Sequence, residues 1–146
     1  MDRDRLERTA DHLDTVSSRE DVSFNMQNFL SKTPDCGTSA CAIGFLINDK
    51  VFSDLIAIPD PARTGVVGET NYLPFYNDGT LRSEQVPHDV WHSISKFFDL
   101  SYEDLDYLFE AEAYSEGDPD WGPDCIRAKD VSERIRALLK REKKLL

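Results

Sequence analysis

The chain has 146 residues, 40% of them hydrophobic, with 17 Lys and Arg against 28 Asp and Glu, a formal charge of −11. A chain of this length buries about two-thirds of the surface it exposes when unfolded, so disorder is not the default and a single compact domain over residues 1–146 is expected. The acidic balance, with a pI near 4.6, argues against binding nucleic acid or an anionic membrane through the whole surface and points to a basic protein partner.

Leu6, Ala10 and Leu13 recur at helical spacing between Asp2 and Ser17, which predicts an amphipathic helix with Asp4, Arg8, Asp11 and Thr15 toward water. Val22, Phe24 and Met26 alternate as in a strand, yet Phe29 and Leu30 follow at helical spacing, and that run stays open between the two. Pro34 breaks the chain. From Ala40 to Ile47 the residues are apolar on every side, which predicts a buried central helix capped by Thr38 or Ser39. This longest apolar stretch is far short of the roughly 20 residues that span a bilayer, and Met1 opens onto Asp2, Arg3, Asp4 and Arg5. No membrane association and a cytoplasmic location are therefore expected.

Pro59, Pro61, Pro74 and Pro87, with Gly65, Gly68 and Gly79, make regular helix unfavourable between Asn48 and Pro87. Asn77-Asp78-Gly79 is a turn signal that can close a small hairpin, any sheet being minor. Pro87 suits the first turn of a helix carrying Val90, Ile94, Phe97 and Phe98. Ser101 with Asp104 forms a capping-box pattern for the next, which carries Leu105, Leu108 and Phe109. Asp130 and Glu133 repeat that pattern ahead of a last helix striped by Val131, Ile135, Leu138 and Leu139. The fold class is thus mostly α, one domain of about five helices with an irregular middle segment that has room for a hairpin.

The string Cys36-Gly37-Thr38-Ser39-Ala40-Cys41-Ala42-Ile43-Gly44-Phe45, preceded by Phe24-Asn25-Met26, resembles a pattern that recurs in small uncharacterised proteins of bacteria and their phages. The pattern has Cys-Gly-Thr, a second Cys, then Gly and an aromatic. The likeness extends to Phe97-Phe98-Asp99-Leu100, Leu108-Phe109 and Arg134-Ile135, and it carries an acidic residue where this chain has Asn25 and glycine where it has Asp99. What the resemblance implies is a family shape in a bacterial or phage setting, with no established activity.

Three cysteines do not make a disulfide framework, which fits a reducing compartment. Cys36, Cys41 and Cys125, with a His or Asp as fourth ligand, would compose a zinc set, whereas burial as small hydrophobes is the commoner fate of free cysteines. Cys36, ahead of a helix, is the more reactive candidate. A thiol- or metal-dependent enzyme centred on Cys36, Cys41 and Cys125 is accordingly the alternative reading. His88 and His92 imitate a zinc-peptidase helix, but Asp89 is one methylene short of the glutamate base and both imidazoles face away from Val90, Ile94 and Phe97. Glu116, Asp118, Asp120 and Asp124 cluster oxygens as calcium requires, yet Arg127 stands where the closing glutamate of an EF-hand belongs. With no phosphate loop or nucleophile elbow, no metal or cofactor is expected.

Charge segregates along the chain: residues 99–124 hold ten acidic side chains and no basic one, and residues 127–146 hold eight basic and three acidic. Glu103, Asp106 and Glu110 project from the outer face of their helix, opposite Leu105 and Phe109, and the following loop adds Glu116, Asp118, Asp120 and Asp124. The resulting negative patch is either neutralised within the chain by Arg136, Lys140, Lys143 and Lys144 or offered to a partner. Glu112 falls in the apolar arc and needs a donor if buried. The function expected is a non-enzymatic interaction protein that docks a basic surface, in one version a phage-type blocker of a host nucleic-acid-binding or defence complex.

Overall fold

Helix α1, Arg3–Val16, forms on the stripe of Leu6, Ala10 and Leu13, all buried, and Asp2 caps it by accepting from the Arg5 amide at 3.1 Å. Its water-facing residues Asp4, Arg8, Asp11 and Thr15 are exposed as the periodicity requires. The structure is a computed structural model that describes residues 1–20, 22–26, 30–33, 37–59, 70–76, 90–115, 120, 122 and 125–144. Among them follow β1 (Val22–Phe24), β2 (Leu30–Thr33), β3 (Gly37–Ala40), α2 (Ala42–Asn48), β4 (Leu55–Pro59), β5 (Thr70–Tyr76), α3 (Val90–Phe98), α4 (Tyr102–Phe109) and α5 (Ala128–Lys144). A single 3₁₀ turn, Ala111–Tyr114, succeeds α4. The mostly α class and its five helices stand, and no described helix is long and apolar enough to cross a membrane.

Beside the helices lies a sheet larger than the small hairpin that the turn residues suggested. Its five strands run in the order β1-β3-β2-β5-β4. β1 pairs parallel with β3, Ser23 opposite Ser39, and β3 pairs antiparallel with β2, Ser31 opposite Ser39. The middle segment supplies the other edge: β4 and β5 pair antiparallel from Leu55 opposite Tyr76 to Pro59 opposite Tyr72. Pro59 is tolerated because β4 is an edge strand, where a missing amide breaks no interior ladder. The turn at Asn77-Asp78-Gly79 and the helix start at Pro87 lie outside the described residues.

Pairing also moves the start of the central helix. Thr38 and Ser39, expected as caps, are committed to β3 between two neighbours, and α2 begins at Ala42 behind Cys41. Ala42, Ile43, Gly44, Phe45 and Leu46 are buried, as an all-round apolar helix requires. Ser101 caps α4 by accepting from the Asp104 amide at 3.2 Å, as its sequence pattern indicates. α5 begins at Ala128, earlier than the sequence pattern suggested. Asp130 is its third residue and not its cap, and its carboxylate reaches back to the Arg127 amide at 2.9 Å.

The buried residues of all five helices form one contiguous cluster, with Phe45, Phe97 and Phe98 its largest fully buried side chains. α1 packs along α5 and touches α2 and α3, which in turn lie against the sheet. A polar tie crosses the α1–α5 seam: fully buried Ser132 donates to Asp14 Oδ1 at 2.7 Å, and Arg136 reaches Asp14 and Asp11, each at 2.8 Å. The Ser132 hydroxyl, with Arg136 beside it, holds the Asp14 carboxyl below the ordinary carboxylate value of 3.8. A depressed folded value stabilises the protein above the ordinary value and loses that contribution as pH falls through the folded one. The stability deficit of Asp14→Asn, measured by urea unfolding, should therefore be largest near neutrality and shrink as pH drops below 3.8.

Two helices end on left-handed residues that are not glycine. Lys50 has φ 55°, with the Val51 amide bonded to the Leu46 carbonyl and its own amide to that of Ile47. Asp99 has φ 53°, with Leu100 bonded to Ser95 and Asp99 to Lys96, the paired bonds of a Schellman ending. A left-handed L-residue costs about 1–2 kcal/mol and glycine gives back about 0.5–1 in chain entropy. Lys50→Gly should thus stabilise the protein by about 0.5–1 kcal/mol, read as a higher midpoint of thermal or urea unfolding.

Candidate functional site

The outer face of α4 gathers acids and tyrosines. Positions 102, 103, 106, 107 and 110 fall within one arc of a 3.6-residue helix, opposite buried Leu105, Leu108 and Phe109. Glu103 and Asp106 are exposed and Glu110 is half-buried. Tyr102 and Tyr107, 51% and 36% exposed, are the exposed large hydrophobics of the described chain. Tyr102 stands beside α3, its hydroxyl 3.0 Å from His92 Nδ1.

Of the acids that the sequence singled out, Glu103, Asp106 and Glu110 share this face, and Asp120 is exposed farther along the chain. Glu116, Asp118 and Asp124 lie outside the described residues, as do Cys36 and His88. Glu112 is exposed, since α4 ends at Phe109 and the 3₁₀ turn takes it out of the apolar arc.

Of the bases expected to neutralise the patch, Arg136 and Lys140 have described side chains, and those of Lys143 and Lys144 lie outside the described residues. Arg136 serves Asp11 and Asp14 of α1, and Arg141 serves Asp104 at 2.9 Å on the flank of α4. Among the described side chains, no ion pair holds Glu103, Asp106 or Glu110. Among the described side chains, then, the flank of α4 spends its charge on the fold and the tyrosine-bearing arc does not.

Arg134 fixes this face to α5. Its Nη1 donates to the Tyr107 carbonyl at 2.8 Å and its Nη2 to the Ala113 carbonyl at 2.9 Å. Tyr107 is in the last turn of α4, whose carbonyls have no helical partner, so the guanidinium supplies what the helix end lacks. It also lies over the rings of Tyr114 and Tyr107, at 3.6 and 4.6 Å from their centres. The Tyr114 hydroxyl donates to the Leu108 carbonyl, and burial pushes that phenol well above its usual range.

A cleft of about 470 Å³ adjoins the arc, walled by Tyr107, Tyr114, Cys125, Asp130, Glu133 and Arg134. Sequence reading found the acids but neither Tyr107, Tyr114 nor Arg134. Tyrosines at positions 102 and 107, on the polar side of a helix, were the available signal. Nothing local links Arg134 to carbonyls 27 and 21 residues away.

Of the three cysteines, Cys41 and Cys125 are described, and they do not share a site. Cys41 is buried at the start of α2, and loss of solvent pushes its thiol up to about 11, so it is not a thiolate nucleophile at neutral pH. Cys125 is exposed in the cleft wall. Among the described residues, no group of three or more His, Cys, Asp or Glu side chains is placed to hold a metal ion.

Arg134→Met should cost about 1.5–3 kcal/mol, because two carbonyls lose charged donors, and Arg134→Lys should recover less than half of it, since an ammonium lacks the planar fork. Urea unfolding of the two variants measures this. Compared with protein-family models, with curated proteins and with solved structures, the chain matches none.

Proposed function

We propose that this protein is a non-enzymatic docking module whose α4 arc and adjoining cleft receive a basic surface of a protein partner. The observation that carries the reading is the exposure of Tyr102 and Tyr107 among Glu103, Asp106 and Glu110, acids that no described side chain neutralises. Acids alone make a solvated face. Tyrosine adds contact area, a hydroxyl and a ring that attracts Lys or Arg, which is why it is enriched at interface centres. A basic side chain entering the cleft meets Asp130 and Glu133, which also face Arg127 and Lys129, beside the Tyr107 ring.

The net charge of −11 suits a partner that itself binds nucleic acid, because such a partner displays a basic face. A phage-type blocker of a host nucleic-acid-binding or defence complex, acting in the cytoplasm, is the specific version of this reading that the resemblance supports. It covers a basic surface by imitating the charge, and not the bases, of a nucleic acid.

A lysine- and arginine-rich peptide is the probe. Reversing Glu103, Asp106 and Glu110 to Lys should slow its association about tenfold at low salt and leave the fold intact. Reversing Asp4, Glu7 and Glu20, which are exposed elsewhere, changes the net charge equally and should slow it much less. Equal effects of the two triple variants would contradict a localised site. So would unchanged binding accompanied by a lower melting temperature that Lys140→Glu with Lys144→Glu restores, because the acids would then serve only the fold.

A further inference from the structure

A second cleft, of about 370 Å³, opens where the end of α1, strand β1 and the start of α5 meet. Its floor is apolar: Val16 and Ile126 belong to the core, while Val22 and Phe24 are half-buried beside it. Phe24 is held flat against Phe45, ring centres 6.1 Å apart. The rim carries Arg19, Arg127 and Lys129, and no carboxylate side chain is among the described lining residues. In a chain with 28 acids and 17 bases, that sign is the reverse of the average surface.

The rim cations pair with carboxylates outside the described lining. Arg19 lies 2.8 Å from Asp49, Arg127 3.2 Å from Asp130, and Lys129 3.9 Å from Glu133. The last two pairs are largely exposed and so contribute little, and the Arg127 guanidinium has further N–H donors than the one it gives to Asp130. The 17-residue helix α5 also starts at this rim. Arg127, ahead of its first residue, has no side-chain acceptor to offer, and among the described residues no acceptor is found for the amides of Ala128 and Lys129.

We infer that this cleft binds an amphiphilic carboxylate, a short apolar chain or ring that ends in a single carboxylate group. The floor removes the chain from water, and the carboxylate lies among Arg19, Arg127 and Lys129 at the positive end of α5. The volume suits a small ligand, since such sites begin at about 300 Å³. This cleft uses none of the α4 arc and does not depend on its reading, though it shares Ile126 with the cleft beside the arc.

Titrating the intact, isotope-labelled protein with hexanoate, hexan-1-ol and hexylamine, followed by NMR, tests the inference. Hexanoate should bind saturably and shift the amides of Val22, Phe24, Ala128 and Lys129. Hexan-1-ol should bind about tenfold more weakly or less, the loss of one charge-assisted contact, and hexylamine should not bind. Arg127→Gln with Lys129→Gln should weaken hexanoate about tenfold and leave hexan-1-ol unchanged. The ligand series on the parent protein decides the matter even if that double variant does not fold. Equal affinity for hexanoate and hexan-1-ol, shifts centred on Tyr107 and Tyr114, or no saturable binding would overturn the inference.

Discussion

The carbonyl of Phe97, in the last turn of α3, and that of Val51, just beyond α2, lack donors within their own elements, and α1 supplies both. Arg5 reaches Phe97 at 2.7 Å and Asp54 at 2.6 Å, while Arg8 reaches Val51 at 2.8 Å. Each guanidinium also covers an aromatic ring, Arg5 that of Phe97 at 4.2 Å and Arg8 that of Phe52 at 4.4 Å. Arg3 ties the same helix to Leu139 of α5 at 3.2 Å. The stripe that Arg3 and Arg5 border is apolar and buried, so one helix binds its neighbours by exclusion of water along the stripe and by charged donors beside it. Removing α1 would expose the core and leave helix ends unpaired at once.

The same device recurs at α4. Arg134 from α5 donates to the helix-end carbonyl of Tyr107 and stacks on two tyrosines, which sets the direction in which the acidic arc faces. The described arginines of this acidic protein are largely committed to such contacts within the chain. Arg136 and Arg141 are spent on Asp14 and Asp104, and the acids that no described side chain pairs include those on the outer arc of α4. The surface proposed to dock a partner is thus a consequence of how the fold uses its cations.

What was legible in the sequence was whatever has a local period or a local cap. The stripes of α1, α3, α4 and α5 and the Ser101 cap all act within a few residues, and the structure places them as the spacing requires. The sheet was not legible, because its strands are short and pair over long range. Leu30–Thr33 and Gly37–Ala40 carry no alternation that outweighs the capping preference of Thr38 and Ser39, and pairing with each other, with Val22–Phe24 and with Thr70–Tyr76 fixes them as strands. Likewise, the acids of α4 were visible as a charge run, but which of them stay unspent depended on Arg141 and Arg134, contributed from a different helix.

Long-range attraction and short-range contact leave different kinetic marks, since screened charge governs association and desolvated aromatic contact governs residence. The most direct measurement is the dissociation rate of the lysine- and arginine-rich peptide from Tyr102→Ala, a residue that is 51% exposed and so dispensable to the core. The account predicts dissociation about tenfold faster with an unchanged association rate, as expected for loss of an interface aromatic. Dissociation equal to that of the parent protein would contradict it, reducing the α4 arc to diffuse negative charge with no docking site.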